Sequence, residues 1–332
     1  MVSEFHFIDI PATHARQTLE HAVLEGLSQN PPTLPCRFFY DETGSVLFER
    51  ICELPEYYPT RTERAIFARY ADEIVAAMGA SKLAMTELGS GSSCKTRLLI
   101  EAALRRQELL SYTPIDISGD FLRASAATLL REYPELTITA VAGEYRDALP
   151  ALPEPTDPHL FLFLGSNIGN FETADAIDLL RDLRARLRPQ DRVLVGVDQV
   201  KAVPVLEAAY DDAAGVTADF NKNLLVRINH ELGADFDPES WEHRAPFVAE
   251  KTRVEMWLIS QTDQTVTLHT ADGDELSFLF RKGDGIHTEN SHKYTPESFR
   301  ALCHAANLDI RHSWTDPDHY FAVMLLGPEP AA

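Results

Sequence analysis

Cysteine is scarce and scattered in this chain of 332 residues: Cys36, Cys52, Cys94 and Cys303, with no CxxC pair. That spacing excludes a disulfide framework and a thiolate metal cluster, and free thiols fit a reducing compartment; no metal is expected. Basic residues are also few, 30 Lys and Arg against 51 Asp and Glu, a formal net charge of −21. A surface of that sign repels phosphates and anionic lipid, so nucleic-acid and membrane partners are not expected. No run approaches the roughly 20 apolar residues that a bilayer span needs. The opening MVSEFHFIDIPATH has neither the basic segment nor the continuous apolar stretch of a signal peptide. Repeats and low-complexity tracts are also missing. These absences leave a soluble, cytoplasmic protein, expected as a monomer because no long exposed apolar pattern suggests an interface.

Apolar residues make up 45% of the chain, enough for a real core. The length suits one large domain or two interleaved ones. The first eighty residues read as helices and loops, with helical periodicity in ARQTLEHAVLEGLSQN and ERAIFARYADEIVAAMG. From Ala84 the rhythm changes. Short apolar runs (LAMTEL, TPIDI, LTITAVAG, HLFLFLG, DRVLVGVD) alternate with amphipathic helical stretches. That alternation calls for a parallel sheet covered by helices on both faces, doubly wound by the right-handed crossover rule. After Val200 a long helix is expected over AYDDAAGVTADFNKNLLVRINHELG, then antiparallel strands turning at ADGD, then the helix YTPESFRALCHAANL and two strands around TDPD. The expected architecture is α/β: residues 62–200 and 294–332 form a Rossmann-like domain with an antiparallel terminal hairpin. Residues 1–61 and 201–293 form a second α+β lobe.

The turn Thr86–Thr96, TELGSGSSCKT, sits where the first of these strands meets its helix. A triphosphate loop needs G-x-x-x-x-G-K-[ST], and here Lys95 follows Gly91 by four residues, so the spacing is wrong. A dinucleotide loop needs a third glycine where this chain has Cys94, which weakens that reading and leaves it open. Glu87-Leu88-Gly89-Ser90-Gly91 resembles the E/D-x-G-x-G motif of class I S-adenosylmethionine-dependent methyltransferases. That ligand carries no phosphate and needs only small residues, so that the backbone can pass close to it. The next strand ends in Asp116, whose carboxylate suits two ribose hydroxyls. The third ends in Glu144-Tyr145, an acceptor for the adenine amino group beside an aromatic ring. The fourth ends in GSNIGN. Any one of these acids can equally be a helix N-cap. Together they line the carboxyl edge at which open α/β sheets bind ligands.

The runs FFYDETGSVLFERICELPEYYPTRTE, ELGSGSSCKTRLLI, LGSNIGNF, AYDDAAGVTADFNKNLLVRIN and TENSHKYTPESF resemble one family over nearly the whole chain. It is the L-histidine Nα-methyltransferases of ergothioneine biosynthesis, the EgtD group. PEYYPTRTE weighs most, since methyltransferases in general do not carry it. The resemblance implies three S-adenosylmethionine-dependent methylations of the histidine α-amine. The products are hercynine, the Nα-trimethyl betaine, and S-adenosylhomocysteine. It places Tyr40, Gly89, Lys95, Asp116, Glu144 and Tyr145 at the cofactor; the family has Asp-Phe in place of the last pair, and the exchange keeps both acceptor and ring. It places Tyr57, Asn170, Tyr210, Glu289 and Ser291 at the amino-acid substrate, with Tyr57 touching the amine and Glu289 and Ser291 the imidazole. Met256, in RVEMWL, is expected on a pocket strand where it limits side-chain size. Taken singly, Tyr57 suits a core, Asn170 a helix cap, Glu289 an exposed charge and Met256 core packing. The alternatives are a tryptophan-directed relative, which Glu289 and Ser291 disfavour because indole offers one donor and no acceptor, an inactive binding protein of the same fold, and an NAD-dependent oxidoreductase.

Overall fold

The computed structural model describes residues 4–10, 18–153 and 156–329. The chain divides into two compact units, one of Met1–Pro11, Pro59–Val200 and Lys293–Ala332, the other of Ala12–Tyr58 and Lys201–His292.

The first unit is an eight-stranded sheet. Its strands are β1 (Glu4–Asp9), β2 (Ala84–Leu88), β3 (Leu110–Asp116), β4 (Leu136–Ala142), β5 (His159–Phe163), β6 (Arg192–Asp198), β13 (Leu308–Thr315) and β14 (Phe321–Pro328), in the order β1-β4-β3-β2-β5-β6-β14-β13. From β1 to β6 every pairing is parallel; β14 is antiparallel to both its neighbours. This is the doubly wound class I methyltransferase architecture with its terminal hairpin. The period of two along each buried strand decides which helices cover which face. Leu160, Leu162, Leu194, Val323 and Leu325 join the cluster formed with α3 (Tyr58–Ala76), α4 (Thr96–Leu104) and α5 (Gly119–Glu132). Their neighbours Phe161, Phe163, Val193, Val195, Ala322 and Met324 join α6 (Tyr145–Ala151), α7 (Thr173–Arg186) and α10 (Pro296–Ala305) on the other side. Because β2 connects onward to β3 on one side and its sheet neighbour β5 connects onward to β6 on the other, the crevice between their carboxyl ends is the switch point of the sheet.

The second unit packs α1 (Leu19–Leu27), α2 (Glu42–Glu53), α8 (Val203–Tyr210) and α9 (Val216–Leu232) with small antiparallel sheets. One has the order β12-β9-β7, from Gly285–His292, Arg253–Ser260 and Trp241–Arg244, with β8 (Phe247–Val248) also on β9. The other is the hairpin of β10 (Gln264–His269) and β11 (Glu275–Phe280). Asp41 caps α2 by accepting from the Gly44 amide at 2.7 Å, and the same oxygen accepts from Asn223 on α9 at 2.8 Å. Gly44 is obligatory there, since a Cβ would stand 1.7 Å from the Phe39 carbonyl oxygen. Gly44→Ala is therefore expected to destabilise the unit by roughly 3 kcal/mol or more, read as a lower urea midpoint; an unchanged midpoint would show that the helix start relaxes freely.

Three expectations need correction. Residues 1–61 do not all belong with the second lobe: Glu4–Asp9 is a strand in parallel register with β4, and the first unit resumes at Pro59. Part of the assigned segment, and residues 15–17 of the first expected helix, lie outside the described residues. The single helix expected over residues 209–233 is two, because Asp212 accepts from the Val216 and Thr217 amides at 3.0 and 2.7 Å and starts a new helix after Gly215 (φ +75°). Gly285–His292 adds a further strand, β12, that its polar sequence concealed.

Candidate active site

At the end of β2 the chain turns through Gly89 and Gly91, both left-handed at φ +69° and +49°. A Cβ on Gly89 would stand 2.5 Å from the Tyr145 hydroxyl and 3.0 Å from Asn167 Nδ2. The first glycine, the aromatic of the third strand end and the Asn of the fourth thus converge on one point. Glu87, the motif's acid, is buried and works inward: it accepts from Thr96 Oγ1 at 2.7 Å and from the Tyr112 hydroxyl, tying the start of α4 to β3. Burial pushes its carboxyl up to about 7, against the opposing effect of these two hydrogen bonds.

Lys95, closing the turn, is paired at 2.5 Å with Glu63 Oε2 from α3. The Glu63 side chain is fully buried, and both its oxygens lie 3.0 Å from the Gly165 amide that donates to them. Asp116 Oδ2 accepts from the Gly91 amide at 2.9 Å and Oδ1 from the Ser118 amide at 3.0 Å. Burial raises its pKa and the backbone donors oppose the rise. Glu144 occupies the N-cap position of α6, yet its side chain makes no capping hydrogen bond to that helix. Tyr145 lies edge-on to Phe163, with ring centroids 5.7 Å apart. Asn170 ends a short 3-10 turn, Asn167–Asn170, launched by the left-handed Ser166.

The donor set fits S-adenosylmethionine. The Ser90 hydroxyl is buried in the turn without a hydrogen-bond partner among the described residues, and a Cβ on Gly91 would meet nothing within 4 Å. Each Asp116 oxygen has one lone pair engaged by backbone and a second suited to a ribose hydroxyl. Lys95 would take the one anionic group of that ligand, its carboxylate.

In the second unit, β9 and β12 run antiparallel with Met256 directly opposite Glu289. The register shifts between His287 and Glu289, a bulge that leaves Thr288 unpaired and re-aims the strand that follows. Ser291, two residues on, shares the face of Glu289 and is hydrogen-bonded through Oγ to the Tyr210 hydroxyl at 2.7 Å. Tyr210 lies edge-on to Tyr57 (6.1 Å), Tyr57 to Phe48 (6.2 Å), and Phe48 to Tyr40 (5.6 Å). Burial holds the Tyr57 phenol well above its usual pKa, and Tyr210, Cys52, Tyr40 and Glu289 add to the rise. Behind this wall, His243 accepts from Asn221 at 2.9 Å and donates its Nε2–H to the Tyr210 carbonyl at 2.8 Å. Burial lowers its pKa and keeps it neutral, so the end of α8 that carries Tyr210 is fixed.

The residues expected at the site thus fall into two groups. Gly89, Lys95, Asp116, Glu144, Tyr145 and Asn170 line the carboxyl edge of the first unit's sheet, whereas Tyr40, Tyr57, Tyr210, Met256, Glu289 and Ser291 belong to the second. Tyr40 is separated from the other residues expected at the cofactor, and Asn170 from the others expected at the substrate, by that division of the chain. Sequence reasoning missed Glu63, Asn167 and His243. Glu63 ends the distinctive PEYYPTRTE run, which marked it, but no local pattern pairs it with residues 32 and 102 positions away. Among the described residues no group of His, Cys, Asp and Glu is arranged to hold a metal, and no helix is long and apolar enough to cross a membrane.

A family model described as histidine-specific, S-adenosylmethionine-dependent methyltransferase matches residues 19–328. A histidine N-alpha-methyltransferase of Mycolicibacterium smegmatis is 42% identical over 316 residues, 95% of this chain and 97% of its own. An ergothioneine biosynthesis protein 1 of Neurospora crassa is 31% identical over 87% of this chain and 32% of its own length. An L-tryptophan methyltransferase of Psilocybe serbica is 28% identical over 93% and 92% of the two chains. The turn around Gly89, the acids at the strand ends and the Tyr210–Ser291 pair are thus set in a chain that belongs to the histidine-specific, S-adenosylmethionine-dependent methyltransferase family.

Proposed function

We propose that the protein methylates the α-amine of L-histidine three times, giving hercynine, as the first step of ergothioneine biosynthesis. The observation that carries this reading is the grouping of Glu289 opposite Met256 with Ser291 bound to Tyr210. It supplies an acceptor for one imidazole N–H and, two residues along the same face, a hydroxyl that suits the second ring nitrogen in either role. An apolar or singly donating ring would leave those groups unpaired, which costs far more than a missing methylene. Met256, 2% exposed and opposite Glu289 in the ladder, is assigned to limit ring size.

S-adenosylmethionine supplies a sulfonium-activated methyl group, and each transfer releases S-adenosylhomocysteine and a proton. The amine must be neutral to attack, and burial beside a cation favours that form. Tyr57, held as a phenol, serves as a hydrogen-bonding partner that orients the amine. Asn170 and Tyr210 are assigned to the substrate carboxylate, and Gly89, Asp116, Glu144, Tyr145 and Tyr40 to the cofactor. Aromatic faces at Tyr57, Phe48 and Tyr40 suit a growing quaternary ammonium. The enzyme is taken to act as a cytoplasmic monomer without a metal.

Mass spectrometry of products formed from S-adenosylmethionine and a pool of the twenty amino acids tests the reading. A gain of three methyl groups on histidine alone is the expected result. Methylation of tryptophan instead would overturn the imidazole assignment, and bound cofactor without any transfer would overturn catalysis.

A further inference from the structure

We propose that Glu63 is a positioning residue for the methyl donor: it fixes the Lys95 ammonium where the donor's carboxylate must lie, and locks two glycine-rich turns together in doing so. The assignment rests on the donor-binding reading above. Glu63 stands on α3, in none of the strand-end motifs, yet its fully buried side chain reaches the carboxyl edge of the sheet. There it holds Lys95 of the Gly89–Thr96 turn at 2.5 Å and accepts from the amide of Gly165, which opens the turn after β5.

The sheet is hollowed to receive it. A Cβ on Gly196 of β6 would stand 2.1 Å from Glu63 Oε1, so any other residue there displaces the carboxylate. Gly165 has φ +73°, and a Cβ on it would come within 3.1 Å of Lys95 Nζ. Burying a carboxylate is costly even when it is paired, and well-packed apolar side chains stabilise a core at least as well. A charged pair at this place is therefore explained by what it presents to a ligand. S-adenosylmethionine has one negative group, its carboxylate; its amine and sulfonium are positive and its adenosine neutral. A lysine in the turn has one complementary target. A lysine stem samples many rotamers, and giving one N–H to Glu63 sets the direction of the others before the ligand arrives.

Calorimetric titration of the full chain with two probes tests this. S-adenosylhomocysteine carries the amino-acid carboxylate, and 5′-methylthioadenosine lacks it. Glu63→Gln is expected to weaken S-adenosylhomocysteine roughly 10- to 100-fold, as for loss of a charged hydrogen bond. The same change should shift methylthioadenosine by less than about threefold, a small part of that effect. In a Lys95→Met background, Glu63→Gln should weaken S-adenosylhomocysteine no further, because its route is already gone. Equal losses for both probes, or losses that multiply in the double variant, would overturn the proposal in favour of a structural role. Should Glu63→Gln fail to fold, the charge-neutral double variant decides: it must bind methylthioadenosine as the wild type does and S-adenosylhomocysteine as weakly as Lys95→Met. A wild type that binds neither probe overturns the donor-binding reading itself, an outcome distinct from a variant that loses both.

Discussion

Glu289→Ala is expected to lower kcat/KM for histidine about 100-fold, as the loss of a charge-assisted hydrogen bond to a buried ring, while leaving the affinity for S-adenosylhomocysteine unchanged. The carboxylate stands opposite Met256 and on the same strand face as Ser291, so its loss leaves the imidazole N–H without an acceptor. Water fills little of the deficit, because Met256 and Ser291 beside it are 2% and 3% exposed. The effect should rest mainly in KM, since the imidazole is bound alike before and during transfer. Steady-state kinetics with histidine, together with calorimetry for S-adenosylhomocysteine, measures both quantities. A variant with unaltered kcat/KM would place the imidazole elsewhere.

Tyr57→Phe should act on the chemistry more than on binding, reducing kcat by about 10- to 100-fold, the scale of a single orienting hydrogen bond. Its pH dependence separates orientation from base catalysis. Burial raises the Tyr57 pKa well above 10, so the phenol stays protonated throughout the working range and carries no negative charge to lose on acidification. The acid limb of the wild-type profile therefore belongs to the substrate ammonium: kcat/KM should rise tenfold per pH unit up to the amine pKa, about 8 or somewhat above. Tyr57→Phe should keep that limb at the same pH and only lower its height. A limb that vanished in the variant would make Tyr57 the base and contradict its raised pKa. The Tyr57 ring packs edge-on against Phe48 and Tyr210, contacts that phenylalanine keeps, so the substitution should leave the unfolding midpoint nearly unchanged.

Much of the first unit was readable in the linear chain. β5 (HLFLF) and the VLVGV of β6 are continuous apolar runs, the composition that a strand buried on both faces calls for. The turn at Gly89 was readable too, because left-handed backbone and close approach both demand glycine there. β1 was not: EFHFID is mostly exposed, and its place beside β4 is set by pairing across more than a hundred residues. β12 reads as polar, GIHTENSH, and is a strand because β9 offers it a ladder of hydrogen bonds. The acid of E-x-G-x-G, read as a ligand motif, spends its hydrogen bonds on Tyr112 and Thr96 inside the sheet.

By itself the sequence determined the alternation of strands and helices from β2 to β6, the class of ligand turn and the family, since these depend on local periodicity, on backbone geometry and on short runs of residues. Only the tertiary structure decided that Glu63 meets Lys95 in a hollow left by Gly196, that a bulge places Glu289 against Met256, and that His243 holds the end of α8. Those pairings join residues far apart in the chain, and they exist because a buried polar group must find its hydrogen-bond partners within the fold, which no local pattern encodes.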